Sequence, residues 1–404
     1  MEFGPIWRAL MRNKTSYVLI ALQIAVTMAI MVNAINIIQE RATQMARPSG
    51  VDEANIFYLS SNIFDPEADF EAQIAADLDA LRKFPGVVDA VASNSVPMSG
   101  GGWSEGVRLE PDPDLDSTGV GIFFADDHGI NTFGLNLIAG RNFDPTEVLW
   151  HDDQSDAWPP LTIATKAMVE EFWPDEPIEN ALGKTIYVQR TKPVQIIGIT
   201  ERMQAPWNGW SGVERTMLVP QRRGTSNIRY VIRTESGYLD EVMPQVEEML
   251  ATMTDNRIIR GVDTMEATRR ESYLLDSSMV KILTFVVIVL TAITGLGIVG
   301  LASFSVARRT KQIGTRRALG ATRPAILRYF MLENFLISTV GVVGGAIIAV
   351  AINMWMVDAF GLQRVAWYLI PAAMGTLWLV GQIAVYGPAR RATMVPPALA
   401  TRSV

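Results

Sequence analysis

The residues of this chain best suited to binding chemistry form a basic cluster at 308–321, with the sequence RRTKQIGTRRALGA. Its basic side chains are Arg308, Arg309, Lys311, Arg316 and Arg317. No acidic residue occurs between Lys281 and Glu333, so the cluster has no counter-charge nearby in the sequence. Guanidinium and ammonium groups in such a run are suited either to attraction by anionic lipids or to docking of a cytoplasmic partner.

Residue types that carry catalysis or hold metals are scarce. The chain has no cysteine, which excludes disulfides, thiolate metal sites and cysteine redox chemistry. His128 and His151 are the only histidines, too few for a His-rich metal site. The tripeptide GKT at 183–185 matches the end of a phosphate-binding loop, but Ile178 stands where that loop needs its first glycine. We therefore predict a non-catalytic chain that uses no cofactor or metal and does not itself hydrolyse ATP.

The basic cluster lies between long apolar segments. Four such segments can each cross roughly 30 Å of hydrocarbon, which takes about 20 helical residues. They are residues 16–38, 279–306, 329–357 and 366–387. The composition agrees, because 49% hydrophobic residues and a mean hydropathy of +0.18 are typical of a membrane anchor joined to a soluble domain.

Charge predicts the orientation of these spans. Residues 41–278 carry 38 acidic and 20 basic side chains, whereas the rest of the chain carries 4 acidic and 15 basic. Loops rich in Lys and Arg stay in the cytoplasm. The predicted segments outside the spans are a cytoplasmic amphipathic helix (1–15), an outer domain (39–278), a cytoplasmic loop (307–328), a short outer loop (358–365) and a cytoplasmic tail (388–404).

The spans themselves contain features that favour helix packing. Gly341 and Gly345 form a GxxxG motif, which permits close helix approach. Four polar residues within the spans predict interhelical hydrogen bonds, namely Gln23, Asn33, Asn36 and Gln382. No carboxylate stands in mid-span, where proton-coupled carriers place ionisable groups. Four spans are also few for an independent carrier, so we expect the chain to form half of a larger assembly.

Mixed patterns in residues 39–278 predict an α+β domain with two lobes. Helical periodicity occurs at 69–84 and 239–253. Strand patterns occur at 54–59, 87–93, 185–189, 194–199 and 229–233. Loops are expected at 110–117 and 149–160. The flanking segments 37–46 and 264–278 can prolong the first and second spans as continuous helical stalks, which would transmit motion between membrane and outer domain.

Longer stretches resemble a known family. Residues 308–337, RRTKQIGTRRALGATRPAILRYFMLENFLI, closely resemble the signature of the FtsX-like permease domain of MacB-type ABC transporters. Three outer segments resemble the MacB-type periplasmic core domain: PGVVDAVASNSVPMSG (85–100), GLNLIAGRNF (134–143) and EEFWPDEPIENALGKTIYV (170–188). The closing PARRATMVPPALA (388–400) resembles the tail of that family. These segments are collinear and cover nearly the whole chain.

The resemblance implies an α+β membrane protein of the bacterial inner membrane, with four transmembrane helices and a porter-like lobe plus a second lobe outside. It implies a permease that pairs with a second copy or a homologous permease and binds a cytoplasmic ABC ATPase dimer through a coupling helix. Carried over to this chain, that helix includes Arg308, Arg309, Lys311, Ile313, Gly314, Arg316, Arg317, Ala318, Leu319 and Gly320. The glycines and Ala318 favour a packed protein contact over lipid attraction alone. The family has glutamate where Gln312 stands, so an ion pair of that glutamate has no counterpart here.

These features predict a permease subunit that moves substrate from the periplasm toward an outer-membrane duct, with a periplasmic adaptor. Two alternatives stay open. One is lipoprotein release by a related machine, and the other is an FtsX-like transducer that activates a periplasmic hydrolase or signalling partner without transport. A neighbouring gene for an adaptor and duct would favour efflux, whereas one for a hydrolase or sensor kinase would favour transduction.

Overall fold

The computed structural model describes residues 14–65, 67–151, 157–361 and 363–396. It divides into two compact units. Residues 46–274 form the outer domain, and the segments before and after them form the membrane unit. The predicted amphipathic helix at 1–15 falls almost wholly on residues 1–13, outside the described residues, as does the end of the tail from residue 397.

Four long helices of the membrane unit each contain an apolar stretch long enough to cross a membrane. They are α1 (Lys14–Met45), α7 (Leu274–Arg308), α9 (Arg323–Phe360) and α10 (Leu369–Thr393). Each is longer than the span expected from hydropathy, because backbone hydrogen bonding continues the helix past the end of the apolar run. A short helix, α8 (Thr310–Ala318), occupies the loop between α7 and α9.

Helix α1 forms much of the core of the membrane unit, with Ile24 and Met28 almost fully buried. The two glycines of the GxxxG motif on α9 face it. A Cβ atom added at Gly341 would lie 2.7 Å from Cβ of Ile24, and one added at Gly345 would lie 2.5 Å from Cβ of Met28. Both distances are below van der Waals contact, so α9 can approach α1 this closely only with glycine at these positions.

Polar side chains of Gln23 and Asn33 add interhelical bonds, as expected, whereas Asn36 bonds a loop and not another helix. Gln23 Nε2 donates to the carbonyl of Ile293 at 3.2 Å, and Asn33 Nδ2 donates to that of Ala349 at 3.2 Å. Asn36 reaches the loop that precedes α10. The Nε2 atom of Gln382 is buried and has no hydrogen-bond partner among the described residues, so its predicted bond is not formed.

The outer domain has a first lobe built on a four-stranded sheet. Its strands are β1 (Ile56–Ile63), β2 (Val87–Ser93), β11 (Asn227–Thr234) and β12 (Arg257–Thr264), in the order β12-β1-β11-β2. Helices α2 (Phe70–Lys83) and α5 (Leu239–Thr252) cover one face. The apolar side chains between sheet and helices, among them Leu78, Tyr230 and Val246, form the core of this lobe.

The second lobe is an eight-stranded sheet. Its main strands are β3 (Trp103–Val107), β4 (Thr118–Ala125), β10 (Thr216–Arg223), β7 (Leu161–Thr165), β9 (Lys192–Thr200) and β5 (Leu137–Gly140), in that spatial order. Strand β6 (Leu149–His151) pairs with β10, and β8 (Thr185–Val188) pairs with β9. The domain also contains three short α-helices, α3 (Gly129–Phe133), α4 (Lys166–Phe172) and α6 (Met265–Ser272), and two short 3-10 helices.

The fold corrects two expectations. The stretch 149–160 contains strand β6 and is not a loop throughout, because β10 continues far enough to pair with it. The stalk expected at 264–278 is not one helix, because α6 ends at Ser272 and α7 begins at Leu274. Tyr273 stands between them with its side chain 5% exposed. The other flanking segment is helical without a break, since α1 continues to Met45.

Candidate ATPase-coupling surface

Helix α8 has a defined C-terminal stop. Gly320 has φ of +95°, a left-handed conformation that glycine adopts without strain. Its N–H bonds the carbonyl of Arg317 at 3.1 Å, and the N–H of Ala321 bonds the carbonyl of Arg316 at 3.0 Å. This pair of bonds is the Schellman arrangement that ends many helices. The stop allows the chain to turn into α9, which begins with Arg323 and has Pro324 in its first turn.

One side of α8 is packed against the membrane helices. Ile313 is 5% exposed and contacts a small apolar cluster with Phe330 of α9 and Ala389 and Ala392 of α10. Gly314 is buried beside it. These contacts fix the face of α8 that points inward.

Arg309, between α7 and α8, makes a buried ion pair. Its Nη1 atom lies 2.9 and 3.1 Å from the two carboxylate oxygens of Glu333, and its Nη2 donates to the hydroxyl of Tyr17 at 2.6 Å. That hydroxyl donates in turn to Glu333 at 2.8 Å. The side chains of Arg309 and Glu333 are 13% and 5% exposed. The three groups therefore connect the start of the loop between α7 and α9 to α1 and α9.

Arg317 makes a second connection, to the end of α10. Its Nη1 donates to the carbonyls of Thr393 and Val395, at 3.0 and 2.7 Å. The last carbonyls of a helix lack intrahelical partners and carry partial negative charge, so a guanidinium is well placed there. Arg317 thus holds α8 against the C-terminal end of α10.

The opposite side of the loop is exposed. We define the outward face as Arg308, Lys311, Gln312, Arg316 and Leu319, all of which are exposed. Leu319 is 83% exposed. The Arg316 guanidinium lies 4.8 Å from the ring centroid of Tyr329, which orients it by a cation–π contact. The outward face therefore combines positive charge with one apolar side chain, a composition suited to a protein partner.

The ten residues expected in the coupling helix thus separate into two groups. Arg309, Ile313, Gly314 and Arg317 contact the membrane helices, whereas the exposed positions are Arg308, Lys311, Arg316, Ala318, Leu319 and Gly320. Sequence reasoning missed Glu333 and Tyr17 as partners of Arg309. A signal existed, because an ionisable residue inside an apolar helix is costly unless paired, and Glu333 is the first acidic residue after Asp276.

The class of protein is defined by four helices suited to membrane crossing and by a large domain inserted between the first and second of them. The chain is an α+β membrane protein with an extracytoplasmic domain, as predicted.

Comparison with known proteins identifies its relatives. Residues 284–397 match the family described as FtsX-like permease C-terminal. The macrolide export ATP-binding/permease protein MacB of Campylobacter jejuni strain 81-176 is 25% identical over 356 residues, which cover 80% of this chain and 48% of that protein. YknZ of Bacillus subtilis, named as an uncharacterized ABC transporter permease, is 24% identical over 373 residues, covering 86% of this chain and 84% of YknZ. The predicted resemblance to MacB-like and FtsX-like permeases is therefore confirmed.

Among solved structures, the periplasmic region of MacB from Actinobacillus actinomycetemcomitans matches with a TM-score of 0.35 and 13% identity, over 57% of this chain and 97% of that one. The chain spans about half the length of the MacB relatives it matches.

Proposed function

We propose that this chain is the permease subunit of a MacB-type ABC transporter, which receives ATP-driven movement from a separate cytoplasmic ATPase and passes it to the outer domain for efflux from the periplasm. The observation that carries the proposal is the division of the basic loop into an anchored face and an outward face. An exposed leucine amid basic side chains gives the ATPase a surface to bind, and the anchored face gives that surface a rigid mounting.

The two anchors explain how a push on α8 would reach the membrane helices. Arg309 joins the loop to α1 and α9, and Arg317 joins it to α10. Hydrogen bonds donated by a charged guanidinium are short and directional, so the helix cannot shift without either breaking them or moving its partners. Movement of α9 would also be felt by α1, because the glycine contact leaves no space between them.

The orientation required by this proposal follows from charge. Basic residues flank the cytoplasmic side of a membrane protein, and the loop between α7 and α9 is strongly basic. We place both termini and this loop in the cytoplasm, and residues 46–274 in the periplasm. The partners required are an ATPase dimer, a second permease copy or homologue, a periplasmic adaptor and an outer-membrane duct.

The test uses the outward face alone. Full-length chain carrying Lys311→Glu and Leu319→Glu is reconstituted in nanodiscs with the ATPase that co-purifies with the wild type, and ATP hydrolysis is measured. We expect loss of co-purification and of permease-dependent stimulation. Arg391→Glu is the matched control, because Arg391 is an exposed cation at the end of α10 outside the coupling loop. Full stimulation by the double variant would refute the proposal.

A further inference from the structure

A cleft in the outer domain contains two arginines that make no ion pair within the described part of the chain. The chain passes from β10 of the second lobe to β11 of the first lobe through residues 224–226. The cleft lies at this crossing, with Arg223 at the end of β10 and Arg229 on β11. We call it the arginine cleft; its other polar lining residues include Ser60, Ser93 and Gln221.

The strand register leaves room for Arg229. Ile228 and Tyr230 belong to the core under the helices, so Arg229 projects from the opposite face of the sheet. Its direct neighbours across the sheet are Ser60 on β1 and Ser93 on β2. Because both neighbours are small, the guanidinium has open space above the strands instead of a packed surface.

Other arginines of these two strands are neutralised. Arg222 pairs with Asp126 at 2.7 Å, and Arg233 pairs with Asp52 at 3.0 Å. In contrast, the side chains of Arg223 and Arg229 make no hydrogen bond or ion pair with any residue in the described part of the chain. Their Nε atoms are nevertheless buried.

Aromatic rings hold these two guanidiniums in place. Arg223 lies 5.4 Å from the ring centroid of Trp103 and 5.8 Å from that of Phe124. Arg229 lies 5.4 Å from the ring of Tyr58. A stacked guanidinium keeps its edge free for hydrogen bonds, and its fork matches the oxygens of a carboxylate or phosphate.

Each of these two guanidiniums has a buried Nε atom with no hydrogen-bond partner among the described residues, which favours an anion that supplies the missing bonds. They also stand apart from their surroundings, because residues 41–278 carry nearly twice as many acidic as basic side chains. The cleft has a volume of about 340 Å³, within the range of sites for small molecules. We propose that the arginine cleft binds an oxyanion, the carboxylate or phosphate group of a small ligand. This proposal does not rest on the coupling of the chain to an ATPase.

The test is calorimetric titration of the full-length chain in uncharged detergent micelles. Phenyl phosphate and benzoate are the probes, and phenol is the uncharged analogue. We expect saturable binding of at least one anion and none of phenol. Arg223→Gln/Arg229→Gln should weaken that binding by roughly tenfold or more for each arginine. The matched control Arg190→Gln/Arg270→Gln removes the same charge at two exposed sites outside the cleft.

The single variant Arg229→Gln keeps the test decisive if the double variant does not fold, because its neighbours are serines and no core contact is lost. It should bind the anion about tenfold more weakly than the wild type. Binding of phosphate alone or carboxylate alone would support the site and define its ligand class. Absence of saturable anion binding by the wild type, or equal binding by Arg229→Gln, would overturn the proposal. Both of these outcomes would leave the proposed ATPase coupling unaffected, because it is tested separately through the outward face.

Discussion

Replacing Arg309 with glutamine should destabilise the membrane unit strongly. The substitution removes the guanidinium that contacts both oxygens of Glu333, and it leaves that carboxylate with the hydroxyl of Tyr17 as its remaining described hydrogen-bond donor. Glu333 is almost fully buried, so the lost bonds are costly. Breaking a buried ion pair by removing one partner costs about 3–5 kcal/mol. We expect the lower end, about 3 kcal/mol, because the tyrosine bond persists; this is roughly a hundredfold in the unfolding equilibrium.

The assay is unfolding of the full-length chain by SDS titration in mixed micelles, followed by tryptophan fluorescence. Arg309→Gln/Glu333→Gln should recover most of the loss, because no buried charge then lacks a partner. Arg308→Gln is the matched control, since its guanidinium is exposed above the ring of Phe304, and it should cost less than about 1 kcal/mol. If Arg309→Gln and Arg308→Gln are equally stable, or if the double variant is no better than Arg309→Gln, the buried pair does not hold the loop as described.

Two further predictions concern packing and charge. Gly345→Leu should destabilise the membrane unit by about 1–3 kcal/mol or more through overpacking, whereas Gly344→Leu should be tolerated because no atom lies within 4 Å of its added Cβ; SDS titration compares the two, and equal effects would argue against the close contact. Burial raises the pKa of Asp126, but Arg82 and Arg222 outweigh it and hold that pKa below its usual value. The contribution of the Asp126 carboxylate to stability should be complete above about pH 4, near its unfolded pKa, and should fall as the pH drops through the lower folded pKa. Thermal unfolding measured across this pH range should show that Asp126→Asn loses less stability on acidification than the wild type. Identical pH dependence of the two proteins would contradict the assignment.

The long helices and five of the twelve described strands could be predicted from sequence pattern, whereas the other strands could not. The sequence predicts strand β2 at its observed bounds, since its Val- and Ala-rich run begins after Pro85–Gly86 and ends before Asn94. Strand β10 was missed because Pro220 lacks the N–H that a strand interior needs. The structure accommodates it, since β7 pairs only as far as Leu218 and β6 begins its pairing at Gln221.

The position of the candidate site in the chain could be predicted, but the direction in which each of its side chains points could not. Positive charge and its flanking apolar runs identify the loop at 308–321 from sequence. Which arginine points inward depends on partners remote in the chain, such as Tyr17 for Arg309 and the carbonyl of Thr393 for Arg317. Neither partner has a local pattern that relates it to the loop, so only the packed helices distinguish anchors from exposed positions.

The central claim is that the outward face of the loop between α7 and α9 binds the ATPase. Cysteine cross-linking tests this claim most directly. The chain has no cysteine, so a single introduced thiol reports one position. Leu319→Cys places a thiol at a site that is 83% exposed, and Ile313→Cys places one on the inward face, where the native side chain is 5% exposed. A short thiol-directed photo-cross-linker should join Leu319→Cys to the co-purified ATPase and leave Ile313→Cys unreacted. Cross-linking of neither position, or equal cross-linking of both, would contradict the account.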